Sequence, residues 1–435
     1  MLDNMELRKL NSMVLPLIVM MYVAKVNAQT SDDAKSLLDQ IFNASAYNKA
    51  VRPTYQQTTP TDVNIDFYLT SIIDFDSQKE KFTTSGYLII NWNDHYLQWN
   101  SATYGDLTSI FIPQDNVWKP DISLQNGVSE LKELGSSSLF VYVWNDGSVS
   151  WYPIGIFEST CGIDITYFPF DIQTCTLKFV AWSYTKEEVN VMEGTKGIIL
   201  DEYEVNSEWS ILETSVDTLQ ESADAAVVFS IKLKRKPLFF LLNVILPVIL
   251  LSLLNVCIFV LPAESGEKAS FSVTVFLALA VFLTIVTATL PQNSEKVSFL
   301  GIYLVLMAGF STMIVILTLF TLRLNFRNVD EDPIPSWLIK LQVIVETVRC
   351  RRCNKIRPVM MTKAEVPNFD TGHTISTEEA PSVIKQSKSP TPDDKPKITW
   401  NHICNALDFI FFWIFLIATF ITTVTIFSIC SKNAV

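Results

Sequence analysis

Hydrophobic and polar positions give the two halves of the chain different patterns. Up to about residue 236, short segments such as "VNIDFYLTSI" and "AVVFSIKLKR" alternate apolar and polar residues between turns rich in Asn, Asp, Gly and Pro. A period of two is typical of strands with one buried face. Trp144 and Trp151 flank "NDGS", which indicates a β-hairpin. These patterns predict an immunoglobulin-like β-sandwich, preceded by an amphipathic helix in "SDDAKSLLDQIF" with a Ser or Asp cap.

Four long apolar runs follow, each with at least 20 residues and at most one charge: Leu238–Leu261, Ala269–Leu290, Phe299–Leu322 and Leu407–Ile429. About 20 helical residues cross ~30 Å of hydrocarbon. A buried helix of a soluble protein is the alternative for one such run, but four of them make it remote. The pattern therefore predicts four transmembrane helices and an α+β membrane protein.

The amino terminus has the pattern of an export signal. Arg8 and Lys9 precede the apolar run Met13–Ala24, which is short for a bilayer span, and small residues follow it. A signal anchor is the alternative. Cleavage near residue 28 leaves the next domain in an oxidising compartment, where disulfides persist. Four spans then place the carboxyl terminus outside the cell, and Asn43 in "NAS" becomes a glycosylation acceptor.

These predictions divide the chain into five segments. Residues 1–28 are the signal peptide, 29–236 the extracellular sandwich and 237–326 the first three membrane helices. Residues 327–400 form a cytoplasmic loop, in which Pro333–Val348 has helical periodicity and the polar, proline-rich remainder is expected to be disordered. Residues 401–435 hold a pre-membrane helix, the fourth membrane helix and the extracellular terminus.

Charge is distributed unevenly and excludes some functions. The net charge is −12, yet Gln29–Ile231 contains 29 acidic and 10 basic residues, so the remainder is positive. An acidic domain repels nucleic acid and attracts cations, although ordinary solubility explains the charge equally well. Three scattered histidines, with no phosphate-binding loop and no metal-ligand spacing, lead us to expect no enzyme, no cofactor and no metal. Cys350 and Cys353 offer one ligand pair, which favours reduced or lipidated cysteines.

The second apolar run carries a polar stripe. Alternate steps of four and three residues stay on one face of a helix, and here they select Ser270, Thr274, Leu277, Val281, Thr284 and Ala288. Repeated around an axis, this face lines a pore. Glu267 then forms a ring of carboxylates that selects cations, and Leu277 and Val281 form a constriction that closes by dewetting. The alternative is a helix-packing face that tolerates small hydroxyls.

The stretch "TCGIDITYFPFDIQTC" separates two cysteines by thirteen residues and carries "FPFD" before the second. It resembles the signature loop of Cys-loop receptors, the pentameric ligand-gated ion channels. "NWNDHYLQWN", "VWKPDISL", "PIGIFESTC", "KFVAWSY", "LPAESGEK" and "TATLP" are similar to nicotinic acetylcholine receptor subunits in order and spacing. The resemblance covers nearly the whole mature chain apart from the cytoplasmic insert. It implies a pentamer with four further subunits in the plasma membrane, for example at a postsynaptic site.

The resemblance also implies a signature loop that couples ligand binding to the membrane helices. Cys161 and Cys175 close this loop, and its aromatic tip presses on the linker after the second membrane helix. The usual acidic partner of the family arginine is absent from the first sandwich loop, so we expect Asp74 or Asp76 to substitute. The residues implied in coupling are Phe168, Pro169, Phe170, Asp171, Arg235, Asp76 and Pro291.

The ligand site departs from the family that the chain resembles. Trp182 in "AWSY" matches the central tryptophan of an aromatic cage that holds a quaternary ammonium. Tyr87, Tyr142 and Tyr152 supply aromatic surface from the complementary face, whereas Gln125 stands where tyrosine is usual. The segment "VDTLQESADAAVVF" lacks the paired cysteines and the tyrosines of the family, and it gains Asp217, Glu221 and Asp224.

Three functions fit this sequence. The first is a homopentameric channel for Na⁺ and K⁺, with Ca²⁺ as a further candidate, that contacts membrane lipids and is gated by an amine, an amphiphile or protons. The second is an accessory subunit that gives a complementary face to a partner in an acetylcholine-gated heteromer. The third is a non-conducting adhesion or scaffold protein. The polar-then-apolar face and Glu267 argue against the third, and the otherwise complete interface motifs favour the first.

Overall fold

The computed structural model describes residues 29–44, 47–130, 132–219, 224–289, 296–328, 332–353 and 398–432. The predicted signal peptide, Pro291 and the proline-rich part of the cytoplasmic loop lie outside these residues. Contacts divide the chain into two compact units, which separate at Leu238. The first contains the strands and also Lys296–Ser298, and the second contains the long apolar helices.

Helix α1 (Ser31–Asp39) confirms the amphipathic helix and corrects its predicted cap. The cap is Thr30, whose hydroxyl oxygen accepts the Asp33 N–H at 3.3 Å while the Asp33 carboxylate accepts the Thr30 N–H at 2.9 Å. This reciprocal pair is a capping box. Ser31 was expected at the cap, but it is the first helical residue because the extended backbone ends at Thr30. Leu37 anchors the helix in the core, and a π-helical turn (Gln40–Ala44) follows.

The predicted sandwich is confirmed. Eleven strands occur among the described residues: β1 (Thr61–Asp76), β2 (Lys81–Asn93), β3 (Ser109–Pro113), β4 (Ile122–Leu124), β5 (Phe140–Trp144), β6 (Ser148–Trp151), β7 (Ile154–Thr160), β8 (Ile172–Ala181), β9 (Val189–Ile199), β10 (Trp209–Leu219) and β11 (Ala226–Arg235). One sheet has the order β3-β5-β6-β2-β1-β9 with β7 also paired to β2, and the other has the order β10-β11-β8-β4. Between β5 and β6 lies the "NDG" turn, where Gly147 takes a φ of +85° that favours glycine.

Alternation along the strands builds the core between the two sheets. In β11, Val227, Phe229, Ile231 and Leu233 are fully buried, whereas the alternate residues Val228, Ser230, Lys232 and Lys234 are only partly covered. This is the period-two pattern of a strand with one inner face. Cys161 follows β7 in one sheet and Cys175 lies in β8 of the other, and the two sulfurs are bonded at 2.05 Å. The disulfide therefore ties the two sheets together.

The second unit consists of helices. Four described helices are long and apolar enough to cross a membrane: α2 (Leu238–Val260), α3 (Lys268–Thr289), α4 (Phe299–Asn325) and α6 (Trp400–Lys432). They confirm the four predicted helices. In α2 a π-helical turn (Leu241–Ile245) precedes Pro247, which lacks an N–H and would clash with the preceding turn of a regular helix.

Helix α5 (Ser336–Cys353) corresponds to the amphipathic helix predicted at Pro333–Val348. It begins three residues later than predicted, because Pro335 disfavours helical backbone at the residue before it. Leu338 packs with Trp400 and Ile403 of α6 in a hydrophobic cluster. The short helix thus packs against the start of α6.

Candidate ligand face, coupling cluster and pore helix

The Trp182 side chain lies at the end of β8 and points outward. Its ring is 57% exposed, and its backbone N–H donates to the Asp121 carbonyl at 3.2 Å. The next N–H, of Ser183, donates to the Asp121 carboxylate at 2.7 Å. Both bonds fix the turn after β8, so the turn holds the indole at the surface.

Trp182 and Gln125 line one open groove, which we call the Trp182 groove. The Gln125 N–H donates to the Lys178 carbonyl at 2.7 Å, which ties the end of β4 to β8. The groove is also lined by Glu130, Lys132, Glu133 and Glu158. Glu133 lies 3.2 Å from Lys119 and Glu158 lies 3.0 Å from Lys81, so lysines offset much of this negative charge. The exposed indole face is therefore the main feature of the groove that attracts a cation.

The predicted complementary tyrosines lie on the other sheet. Tyr87 stacks on Tyr68 with ring centres 4.6 Å apart, and Tyr152 meets Tyr87 edge-on at 6.4 Å. Burial raises the pKa of Tyr87 further above its ordinary value, so the phenol is neutral at physiological pH. Tyr142 instead donates to the Ser109 hydroxyl at 2.7 Å.

The five predicted ligand residues therefore do not form one site within a single chain. Trp182 and Gln125 share a groove on the β4–β8 side, and Tyr87 and Tyr152 share a ring contact on the β2 side. Tyr142 packs with Phe111 and Trp144 in β3 and β5. Tyr68 was missed from the sequence, because its stacking depends on the β1–β2 register that sets it opposite Tyr87.

The hairpin of β10 and β11 carries the acidic substitutions. Leu219 pairs with Ala226 at its end, and Asp217 pairs with Val228 with its side chain exposed. Asp224 lies just before β11, whereas Glu221 falls outside the described residues.

At the other end of β11, Arg235 forms the centre of a buried polar group, which we call the Arg235 cluster. Its Nε lies 2.8 Å from Asp171 Oδ1 and its Nη2 lies 3.1 Å from Asp171 Oδ2. The side chains are only 6% and 2% exposed. Gln173 Nε2 also donates to Asp171 Oδ2, at 2.7 Å. A bidentate pair with a third donor satisfies both carboxylate oxygens, as a buried charge requires.

Two aromatic rings enclose the Arg235 guanidinium. Its carbon lies 4.2 Å from the centre of the Trp209 ring and 4.9 Å from that of Phe168. Both distances suit cation–π attraction. The sequence pointed to Phe168 but not to Trp209, which the β10–β11 register places opposite Arg235.

Asp76 has described contacts within its own turn. Its carboxylate accepts the N–H groups of Gln78 and Lys79 at 3.0 and 3.1 Å, and the Lys79 ammonium lies 3.1 Å away. The hydrogen bond from the Lys79 side chain makes the largest contribution, and together these bonds hold the pKa of Asp76 below its usual value. The neighbouring Ser77 hydroxyl accepts from Arg235 Nη2 at 3.3 Å. Asp171 thus supplies the described carboxylate partner of Arg235, and Ser77 occupies the place next to it.

The signature loop itself is tied to Lys296. Phe168 and Pro169 at the tip are buried, Phe170 is half-buried, and the Phe168–Pro169 peptide is cis. On the flank of the loop, Asp164 Oδ2 lies 2.6 Å from Lys296 Nζ. That bond, with a second from the Thr166 hydroxyl, lowers the pKa of Asp164 to about 2. The loop thus contacts the residue just after the segment that contains Pro291.

Helix α3 exposes one face and buries the other. Leu277 and Val281 are 60% and 52% exposed, and the other predicted positions on that face are also exposed: Ser270, Thr274, Thr284 and Ala288. The opposite face is buried and consists of Lys268, Ser272, Val275, Leu279 and Val286. Glu267 is exposed immediately before the helix, after Gly266, whose φ of +72° favours glycine.

Hydroxyl groups on the exposed face of α3 donate to the helix itself. Thr274 Oγ1 donates to the Ser270 carbonyl at 2.8 Å, and Thr284 Oγ1 donates to the Val281 carbonyl at 2.7 Å. Their hydrogens are therefore engaged, and their oxygen lone pairs remain available to a cation.

Comparisons with known proteins match both halves of the chain to one family. The family model for the neurotransmitter-gated ion-channel ligand binding domain matches residues 34–237, and the model for the neurotransmitter-gated ion-channel transmembrane region matches residues 244–360. The chain is 32% identical to the human neuronal acetylcholine receptor subunit alpha-3 over 319 residues, which are 72% of this chain and 62% of that relative. It is 31% identical to the rat subunit alpha-6 over 325 residues, 72% of this chain and 66% of the relative. The alignments thus span less than two thirds of either relative.

Proposed function

Because the chain belongs to the neurotransmitter-gated ion-channel family, we propose that it is a subunit of a pentameric, cation-selective channel opened by an extracellular ligand. The family is membrane-embedded and has an extracellular ligand-binding domain. In this proposal the subunit spans the plasma membrane four times, at a postsynaptic site, with both termini outside. The exposed Asn43 carries a glycan.

The exposed face of α3 carries this proposal. Five copies around an axis form a ring of Glu267 carboxylates at one mouth, followed by hydroxyl oxygens and then by the apolar ring of Leu277 and Val281. Carboxylate rings select cations, and apolar constrictions close by dewetting. The Ser270 and Thr274 oxygens, on the Glu267 side of the apolar ring, replace part of the water shell of Na⁺ or K⁺.

Opening is a shift of equilibrium in which no bond is made or broken. A ligand that binds the open arrangement more tightly shifts the population by that difference in affinity alone. The signal from the Trp182 groove runs along β8 and β11 to Arg235, which ends β11 three residues before α2 begins. The Arg235 cluster lies at this end of β11.

The ligand proposed for the homopentamer is a small amine other than acetylcholine. The Trp182 groove offers one indole face and several carboxylates, and each aromatic wall missing from a full cage costs about 1–2 kcal/mol of cation–π attraction. The loss of several aromatic walls weakens the binding of a quaternary ammonium. A carboxylate favours the binding of a protonated amine instead, because the amine donates hydrogen bonds to it.

An accessory role is the second candidate. Tyr68, Tyr87 and Tyr152 form a continuous group of rings on the sheet opposite the Trp182 groove. That group offers an aromatic surface to the principal face of another subunit, so the chain would complete a heteromeric site without binding agonist on its own.

Expression of this subunit alone tests the proposal. We expect whole-cell cation current in response to at least one member of a panel of primary and secondary amines, with a weaker response to acetylcholine. Surface labelling of the same cells is the control. Silence of a well-expressed surface protein contradicts the homopentamer, and current restored by a subunit with the paired cysteines supports the accessory role.

Glu267→Ala is expected to reduce cation preference. Removing five carboxylates from one mouth lowers the local cation concentration and moves the reversal potential in a NaCl dilution gradient towards the Cl⁻ potential. Asp332→Ala is the matched control, because it removes an exposed carboxylate that pairs with Arg327 instead, and it should shift the potential less. A reversal potential identical to that of the wild type would exclude Glu267 as the selectivity residue.

A further inference from the structure

The second unit contains a buried ion pair that the proposed function does not use. Lys268, the first residue of α3, places its Nζ 2.5 Å from Oδ2 of Asp408 in α6. The lysine side chain is 0% exposed and the aspartate 5%. The ammonium also lies 6.0 Å from the centre of the Phe259 ring. Among the described residues no group hydrogen-bonds Asp408 Oδ1, so Lys268 is the described counter-charge of this carboxylate.

Charged side chains inside a membrane-spanning bundle are costly, and they usually mark a functional position. A buried ion pair gives little net stability compared with apolar residues of the same shape. Stability therefore does not explain why Lys268 and Asp408 lie within the bundle. Lys268 directly follows Glu267 in the chain, so the pair determines where the positive charge next to Glu267 lies.

A second hydrogen bond ties the same segment to α6. Asn401 Nδ2 donates to Glu264 Oε1 at 2.5 Å. Asn401 and Asp408 are two turns apart and share a face of α6. Glu264 and Lys268 stand on either side of Glu267, so both ends of this short segment are bound to α6.

We propose that Asp408 is a positioning residue, which holds the Lys268 ammonium inside the bundle and away from the pore so that Glu267 acts without a neighbouring positive charge. This inference rests on the proposed function. Lys268 is buried as the first residue of α3, whereas Glu267, just before the helix, is exposed, so these two neighbouring charges lie in different surroundings. Helix α6 thereby sets the electrostatic potential of the inner mouth.

Loss of the Asp408 charge releases the lysine. An unpaired ammonium on a long stem turns towards the nearest water. The nearest water is at the inner mouth, beside Glu267. Five such ammonium groups would offset the carboxylate ring and reduce the entry of cations.

Single-channel recording of Asp408→Asn tests this inference. In a Leu277→Ser background, which keeps the pore hydrated without a known agonist, we expect unitary cation conductance to fall by at least about twofold and the reversal potential to move towards that of Cl⁻. Lys268→Gln combined with Asp408→Asn removes the ammonium and should restore both. Asp332→Asn is the matched control, because that exposed carboxylate pairs with Arg327 instead. Normal conductance and reversal potential in Asp408→Asn overturn the proposal.

A stability cycle separates this inference from the proposed function. The melting temperature of the detergent-solubilised protein is measured for Asp408→Asn, Lys268→Gln and the double variant, with no need for current. Non-additive losses, with the double variant more stable than Asp408→Asn, support the buried pair; additive losses overturn it. If the Leu277→Ser background carries no current while the stability cycle is non-additive, the buried ion pair is supported and the channel proposal is contradicted. The positioning role of Asp408 is then contradicted as well.

Discussion

Asp171→Asn is expected to abolish the response to agonist and to reduce the amount of folded protein at the cell surface. Asp171 Oδ1 accepts from Arg235 Nε, and Oδ2 accepts from both Arg235 Nη2 and Gln173 Nε2. An asparagine has one oxygen and one NH₂ group. In either orientation its NH₂ faces a donor, so at least one bond is lost and the buried guanidinium loses its counter-charge. Breaking a buried pair by removing one partner costs about 3–5 kcal/mol.

The measurement for Asp171→Asn combines surface labelling, agonist-evoked current per labelled channel and the melting temperature of the solubilised protein. Asp32→Asn is the matched control, because that exposed carboxylate lies 3.2 Å from the exposed ammonium of Lys35. An exposed pair contributes only about 0.2–1 kcal/mol, and the control should therefore resemble the wild type. If Asp171→Asn gives normal current per channel, the Arg235 cluster has no part in gating.

Local patterns were sufficient to predict the strands of the sandwich, the four apolar helices and the exposed face of α3. Each of these features depends on the periodicity of a single segment. The alternation of Val227, Phe229, Ile231 and Leu233 fixes the inner face of β11 without knowledge of its neighbours. The N-terminal cap was predicted one residue late, because Thr30 and Ser31 are both good caps and only the backbone conformation distinguishes them.

Partners across the fold could not be predicted in the same way. The sequence pointed to Arg235 and to Asp171 as coupling residues and offered Asp74 or Asp76 in place of the usual acid of the first sandwich loop, but it did not fix which carboxylate pairs with Arg235. The β8–β11 register decides this, since it pairs Lys234 with Ile172 and so sets Arg235 beside Asp171. A one-residue shift would have turned the arginine to the other face.

The pair of Lys268 with Asp408 shows the same limit over a longer distance. The two residues are separated by 140 positions, and Asp408 stands out in the sequence only as a charge at the end of an apolar run. Whether such a charge faces water or another helix depends on the packing of α3 against α6. That packing is not encoded in the periodicity of either helix.

Leu277→Ser is expected to produce a cation leak without any agonist. In the proposed pentamer, Leu277 is a ring of apolar side chains that keeps water out of the closed constriction. Each leucine contributes about 1.5–3 kcal/mol through its removal from water in the closed state. Five serines remove most of this free energy at once, so the closed–open equilibrium shifts by several orders of magnitude.

The leak of Leu277→Ser is measured as resting current that disappears when external Na⁺ is replaced by a large organic cation. Leu279→Ser is the matched control on the same helix, because Leu279 is 1% exposed and lies on the opposite face. A serine there leaves a cavity and a buried hydroxyl within the bundle, which lowers the amount of protein at the surface without opening a path for ions. A leak from Leu279→Ser but not from Leu277→Ser would place the pore on the other face of α3. Equal leaks from both would show a general failure of packing, and only a leak confined to Leu277→Ser agrees with a constriction formed by the exposed face.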